Sequence, residues 1–307
     1  MSREQISILN LINKFMKSGL VLLLIVFMAI LTSVSCGNDN PAVTNLENSE
    51  IPPTTFNYKK GDSYSLDITV YPSNNISTNS PAIIFFFGGG WVSGSINQFL
   101  QHARYFAQRG MTSVLVDYRV TQRHNSTPFD SVDDAVDALN FVFKNSDQLK
   151  IDKNKVVVSG GSAGGHLALM SSFRVMKENN FNPAALIVFN SVIDTGPGGY
   201  GYDIIGANYK DISPIDNVPI NPPPVINFQG TADNIISVDD AEDYCQEVKL
   251  KNGICELKLY QGLGHGFWNY NRSIEFFKQT ILEADLFMIR NNIIDGNPNI
   301  EDWIEDN

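Results

Sequence analysis

Lys155-Val156-Val157-Val158-Ser159-Gly160-Gly161-Ser162-Ala163-Gly164 is the stretch whose reading decides how this chain folds. Positions 155–158 read as a short buried strand that ends at Ser159, and from Gly165 to about Lys177 the pattern is helical. Between them lies a G-x-S-x-G pentapeptide. A serine on so sharp a strand-to-helix turn is pushed into a strained backbone conformation. The glycines beside it leave room for the turn, and its hydroxyl is held at the carboxyl edge of a parallel sheet. The pentapeptide alone is a weak signal, because a Gly-Gly-Ser run also makes tight turns and helix starts. The strand before it and the helix after it make Ser162 a candidate nucleophile.

A serine nucleophile at neutral pH needs a base, usually histidine, oriented by a carboxylate. The chain has four histidines. His102 lies in a helical stretch, 99–109, where a surface or half-buried role is expected. His124 sits in a polar loop, 121–127. His166 follows Ser162 by four residues and is expected to pack beneath the turn. His265 stands in Gly262-Leu263-Gly264-His265-Gly266-Phe267, a glycine-rich loop just after the strand-like run 255–260. That places it at the same sheet edge as Ser162. The carboxylate candidate is Asp233, in Gln229-Gly230-Thr231-Ala232-Asp233 after the strand-like run 224–228. It lies 71 residues after Ser162 and 32 before His265. Helix capping is the competing role for Asp233. Asp239, Asp240 and Asp243 read as the solvated face of the helix that follows.

The run 81–87 is continuously apolar and ends in Gly88-Gly89-Gly90-Trp91. Glycines after a buried strand let backbone N–H groups converge on a developing negative charge. Gly89, Gly90 and Ala163, the residue after the nucleophile, are the expected oxyanion donors. No Gly-Lys-Ser/Thr follows, so the run is not a phosphate-binding P-loop.

With these residues in place, the chain resembles the α/β-hydrolase superfamily. Within it the chain is most similar to hormone-sensitive-lipase-like and bacterial feruloyl-esterase-like carboxylesterases. The resemblance rests on Phe85-Phe86-Phe87-Gly88-Gly89-Gly90-Trp91, Asp117-Tyr118-Arg119, Asp134-Ala135, the turn at 160–164, Gly230-Thr231-Ala232-Asp233 and Gly264-His265-Gly266-Phe267. It covers roughly 57–290. It implies the α/β-hydrolase fold, a catalytic Ser162, Asp233 and His265, and hydrolysis of small esters. In the family's His-Gly-Gly-Gly loop the histidine place is taken here by Phe87, which puts the rigidity of that loop in question. A serine peptidase of the same fold and a non-catalytic binding module are the alternatives.

Coarse secondary structure agrees with that fold class. Strand-like runs fall at 64–71, 81–87, 112–116, 155–158, 185–189, 224–228 and 255–260, and helical runs at 99–109, 131–144, 163–177, 237–251 and 274–290. Apolar strands alternating with amphipathic helices predict a mostly parallel central sheet with helices on both faces. Ligands bind at the carboxyl ends of such strands.

The N-terminus bears on location. Arg3, Lys14 and Lys17 precede a twelve-residue apolar run, 20–31, short for a spanning helix and suited to a signal-peptide core. Ser33-Val34-Ser35-Cys36 then resembles a bacterial lipoprotein processing site, with Cys36 as the lipid-bearing residue of an exported chain. Ordinary signal-peptidase cleavage and a retained membrane anchor are the other readings. Residues 1–35 are thus a leader, 36–56 a flexible tether, 57–290 the hydrolase domain and 291–307 an acidic solvated tail, with Trp303 and Ile304 as its docking residues. Removing the leader moves the formal charge from −11 to −13. Such a charge argues against nucleic acid as a partner and leaves the N-terminal lipid as the membrane contact. The histidines and cysteines have no metal-ligand spacing, and nothing calls for a cofactor.

Substrate choice is less legible. The stretch 194–203 follows a strand and reads as a variable pocket wall, with Tyr200 and Tyr202 among glycines. Trp91 and Trp268 flank the catalytic loops. All four rings suit stacking on sugars or aromatic acyl groups, and packing in the core is their competing role. Cys245 and Cys255 are either a short-range disulfide or two buried thiols; a bridge requires Cα atoms about 4.4–6.8 Å apart.

Overall fold

The computed structural model describes residues 51–75, 79–179 and 181–306. Eight strands form one sheet in the order β1-β2-β4-β3-β5-β6-β7-β8. They are β1 (Thr54–Lys60), β2 (Ser65–Tyr71), β3 (Ser80–Phe86), β4 (Thr112–Val116), β5 (Ile151–Gly161), β6 (Ala185–Phe189), β7 (Val225–Gly230) and β8 (Cys255–Tyr260). β1 and β2 are antiparallel to each other, and β2 is antiparallel to β4. From β4 onward every pairing is parallel. This is the α/β-hydrolase fold. β4 and β6 are buried along their whole length, as strands covered on both faces must be.

Among the described residues, the α-helices of more than one turn are α1 (Leu100–Gln108), α2 (Pro128–Lys144), α3 (Ala163–Asn179), α4 (Val238–Leu250), α5 (Ile274–Arg290) and α6 (Ile300–Asp306). α2 packs on α3, and a short turn at Pro214–Asn217 joins α3 to α4. On the other face α1 and α5 are tied through Asp285. Its fully buried carboxylate accepts from Tyr105 Oη at 2.5 Å and from Arg109 Nε at 2.6 Å and Nη2 at 2.9 Å. A buried carboxylate with paired guanidinium and hydroxyl donors has its desolvation offset.

A second buried carboxylate, Asp134, explains why Asp117-Tyr118-Arg119 and Asp134-Ala135 belong together. Arg119 grips it with Nε and Nη2, both at 2.8 Å, and the Arg119 backbone N–H and Lys59 Nζ also reach it. The loop after β4 is thereby pinned to α2 and to β1. Hydrogen bonding to Asp134 drives the Arg119 guanidinium well above its ordinary pKa.

Two boundaries differ from those expected. The tether, drawn as 36–56, overlaps β1, whose described part begins at Thr54. β1 reads poorly because only Phe56 and Tyr58 give it a partly buried apolar face. α2 starts at Pro128 and not at Ser131, because Thr127 and Asp130 form a reciprocal capping box with proline in the first turn. The tail carries α6, which buries Ile300 and Trp303 and leaves Ile304 half-buried, and the Trp303 ring meets Tyr105 and Phe277 edge-on or tilted. The leader and Cys36 lie outside the described residues.

The two cysteines are bonded, with Cα atoms 5.2 Å apart, linking the middle of α4 to the first residue of β8.

Candidate active site

β5 ends at the expected turn. Ser162 has φ 56°, a left-handed conformation that a β-carbon disfavours, and three bonds hold it there. Its N–H donates to the Phe189 carbonyl at 2.8 Å, and its own carbonyl accepts from His166 N at 3.1 Å and Val192 N at 3.3 Å. The turn closes so tightly that a β-carbon on Gly160 would fall 2.2 Å from the Gly164 carbonyl oxygen. Strain of this kind is retained only where surrounding structure over-determines it.

β7 and β8 deliver the other two candidates to the same edge. His265 Nδ1 lies 2.8 Å from Asp233 Oδ2. Oδ1 of Asp233 accepts from the N–H groups of Ile235 at 2.9 Å and Ile236 at 3.1 Å. Its side chain is fully buried, while that of His265 is 18% exposed. Burial pushes the Asp233 carboxyl up, but the bonds from His265 and from the two N–H groups outweigh it and hold its pKa below the usual value. An ionised carboxylate only accepts, so Nδ1 of His265 carries the proton of that bond.

A residue outside the sequence reading joins these loops. Asn190, the position after β6, is fully buried at φ 41°. Its Nδ2 donates to Asp233 Oδ2 at 2.8 Å, and its Oδ1 accepts from Gly266 N at 3.2 Å. Asn190 follows Phe189, whose carbonyl holds Ser162, so one short segment fixes all three loops. Its signal in the sequence was an asparagine, the side chain that best tolerates positive φ, at the carboxyl end of an apolar strand. Gln229 adds a longer bond to Asp233 at 3.3 Å. The His265 loop also reaches the elbow directly: the Trp268 ring fills the place beside Gly161, where a β-carbon would lie 2.1 Å from it.

The glycine loop passes alongside. A β-carbon on Gly88 would lie 3.1 Å from the Ser162 β-carbon. Gly88 N donates to Gln98 Oε1 at 2.6 Å, and Tyr118 Oη donates to the Phe87 carbonyl at 2.6 Å. The Phe87 and Tyr118 rings stack at 4.2 Å. The position expected to leave the loop slack is therefore braced by a tyrosine and a glutamine. Among the described residues no group accepts from the backbone N–H of Gly89, Gly90 or Ala163.

The BD-FAE family pattern matches residues 66–195, which include the glycine loop and the elbow. Esterase 2 of Thermogutta terrifontis, in its apo form, is 32% identical; the alignment covers 81% of this chain and 98% of that one, with a TM-score of 0.74. That enzyme has also been solved with propionate and with butyrate bound, and phosphorylated by paraoxon. This chain belongs to the α/β-hydrolase carboxylesterases. Two other relatives are more partial. The AB hydrolase superfamily protein C1039.03 of Schizosaccharomyces pombe is 38% identical over 109 residues, which are 34% of this chain and 31% of that protein. Esterase LipC of Mycobacterium tuberculosis is 27% identical over 239 residues, which are 67% of this chain and 58% of that protein. This chain thus spans less than two thirds of either of those two relatives.

Not every ring expected at the pocket lies there. Trp91 and Trp268 are 0% and 1% exposed, so neither offers a free face to a substrate. Trp268 stacks on Phe99 at 5.0 Å, and Trp91 meets His166 edge-on at 5.0 Å. Glycines at 161 and 201 leave the space these rings fill, and their role is packing. Tyr200 and Tyr202 are half-buried; Tyr202 packs edge-on against Tyr209, while Tyr200 leans on Trp91 at the glycine loop. His102 is not at the surface: it is wholly buried among Phe85, Phe99, Phe189, Trp268 and Phe277. His166 lies beneath the elbow as expected, with Nε2 2.6 Å from the Ile212 carbonyl. His124 closes the short helix Thr121–His124, and its Nδ1 accepts from Val120 N. Asp239 and Asp243 lie exposed on α4. Outside His265 opens a cleft of about 520 Å³ bordered by Ile235, Leu263, Arg272 and Phe276.

Proposed function

We propose that this protein is a serine carboxylesterase that hydrolyses small esters through an acyl-enzyme. Ser162 is the nucleophile, His265 the base and Asp233 the group that orients and charges the base. The observation that carries this is the His265–Asp233 bond, held at the same sheet edge as the strained Ser162. In this reading the Ser162 hydroxyl proton passes to His265 Nε2 as Oγ bonds to the ester carbon. The carbonyl electron pair moves to oxygen, where the N–H groups of Gly89, Gly90 and Ala163 stabilise it. Donors of that type contribute roughly 2.7–4 kcal/mol each to the transition state. His265 then returns the proton to the leaving alkoxide, and a water activated by the same imidazole releases the acid.

The substrate class we infer is a short or aromatic acyl ester, such as an acetyl or cinnamoyl-type group on a sugar or polysaccharide fragment. The propionate- and butyrate-bound forms of the Thermogutta enzyme support a small acyl site. The half-buried Tyr200 and Tyr202 support an aromatic or sugar-facing wall. Export as a lipoprotein anchored at Cys36 is part of the same proposal; it is supported by the basic start, the apolar run at 20–31 and the residues before Cys36.

The test compares 4-nitrophenyl acetate, an acetylated xylo-oligosaccharide and a dipeptide amide as substrates. The ester substrates should turn over and the amide should not. Ser162→Ala should lower kcat by about 10⁴–10⁶ with the fold intact. Retention of a tenth of the rate would sink the assignment of Ser162, and turnover of the amide alone would make the protein a peptidase.

A further inference from the structure

The loop that follows β6 is wound tightly around Asp194. Asp194 Oδ1 accepts from Gly196 N at 2.7 Å, its carbonyl accepts from Tyr200 N at 3.1 Å, and Gly199 N donates to the Gly196 carbonyl at 2.8 Å. Gly201, at φ 83°, lies flat on Trp91: a β-carbon there would be 2.7 Å from the indole Cζ3. The Tyr200 ring is thereby clamped against Trp91, with centroids 5.6 Å apart at 44°. Trp91 is itself fully buried in the core. A half-buried tyrosine is thus held rigidly by its backbone and by its ring.

Its hydroxyl is held over the glycine loop. The place a β-carbon would take on Gly90 lies 2.7 Å from Tyr200 Oη, and the Tyr200 Oη and Cζ are the described heavy atoms within 4 Å of that place. Tyr58, Tyr105 and Tyr118 each donate their hydroxyl to a carbonyl or carboxylate. No described residue hydrogen-bonds to the hydroxyl of Tyr200. Tyr200 is half-buried, so this hydroxyl is open to solvent or to a bound molecule. Gly90, over which the hydroxyl lies, has its own N–H without an acceptor among the described residues.

We propose that Tyr200 is a catalytic residue whose hydroxyl donates a hydrogen bond to the ester carbonyl oxygen as it becomes the oxyanion, alongside the N–H groups of the glycine loop. The hydroxyl keeps its proton throughout; the Ser162 proton still goes to His265. This rests on the esterase reading and gives the Tyr200 hydroxyl a role beyond the face its ring lends to the pocket wall. A donor placed for the oxyanion, and not for the ground-state carbonyl, lowers kcat when removed and leaves KM nearly unchanged.

The experiment uses the full chain with 4-nitrophenyl acetate and compares wild type, Tyr200→Phe and a protein carrying 3-fluorotyrosine at position 200. Tyr200→Phe keeps the ring on Trp91 and removes only the hydroxyl. It should lower kcat about tenfold or more, on the scale of a lost oxyanion donor, with KM within about twofold. Its affinity for a trifluoromethyl ketone, which mimics the tetrahedral adduct, should fall by the same factor as kcat. The fluorinated residue keeps the donor and should retain kcat near wild type. An unchanged kcat in Tyr200→Phe overturns the proposal, as does a rise in KM alone, which would make the hydroxyl a ground-state contact to substrate. If Tyr200→Phe does not fold, a tenfold loss with the fluorinated residue overturns it instead. Inactive wild type would count against the esterase reading, whereas an active wild type with an indifferent Tyr200→Phe counts against Tyr200 alone.

Discussion

At the scale of single residues, two of the four histidines are structural and pH-sensitive. Burial alone pushes the pKa of His102 from 6.5 down to about 3, and neither ring nitrogen has a protein partner. Burial lowers His166 to about 4, against the smaller opposing effect of its bond to the Ile212 carbonyl. Both imidazoles are therefore neutral in the fold, while in the unfolded chain they take a proton near pH 6.5. Between that value and the folded ones the unfolded state binds more protons, so stability falls as pH falls through this window and is unaffected above it. His102→Leu should remove part of that acid sensitivity. Urea midpoints measured at pH 7 and pH 5 should drop less for His102→Leu than for wild type; equal drops would show that His102 is not the residue being charged. The expectation for His102, a surface or half-buried place on a helical stretch, gives way to full burial. Its burial depends on which face α1 turns to Phe85, and the sequence around it is too aromatic on all sides to tell.

At the scale of elements, the candidate site is built from strand ends. β5 supplies Ser162, β6 supplies Asn190, β7 supplies Asp233 and β8 supplies His265, in their order across the sheet. Three of the four were legible because each lies in a glycine-bearing turn after an apolar run. Asn190 was not, because its turn has no such marker and its function is visible only from what it touches. The disulfide belongs to this scale as well. It ties α4 to the start of β8, closing a loop of sequence separation 10. In the chain-entropy view so short a loop contributes up to roughly 3 kcal/mol. Replacing both cysteines, Cys245→Ala with Cys255→Ala, should lower Tm by up to about 10 °C, given about 2–4 °C per kcal/mol for a domain of this size. Esterase activity at 25 °C should persist, since neither cysteine lies at the site edge. An unchanged Tm, or two titratable thiols in protein isolated under oxidising conditions, would rule out a stabilising bridge. Sequence left this pairing open, since spacing alone does not say whether the middle of a helix lies over the strand that follows.

At the scale of the whole molecule, location remains a prediction from the N-terminus. No helix among the described residues is long and apolar enough to cross a membrane. With lipid attachment at Cys36, labelled palmitate should enter the wild-type chain in a bacterial host and not Cys36→Ala. Equal labelling of both, or of neither, would leave simple secretion. Two buried carboxylates far apart in sequence hold the domain's periphery: Asp134 joins β1, the loop after β4 and α2, and Asp285 joins α1 to α5.

What the sequence by itself determined is the set of local conformations. Apolar runs bounded by glycine turns are short-range features, and they marked the parallel strands, the elbow at Ser162, the glycine loop and the order of Ser162, Asp233 and His265. What only the tertiary structure decided is which side chains share an environment. Trp91 and Trp268 sit beside catalytic loops in sequence yet fill the core, because glycines elsewhere in the chain make room for them. Phe87 leaves its loop firm because Tyr118 and Gln98, distant in sequence, supply the bonds. Asn190 binds Asp233 and Gly266 because β6 lies between β5 and β7 in the sheet. Such contacts depend on strand order and helix facing, and those are settled by packing across the whole sheet rather than by any local pattern.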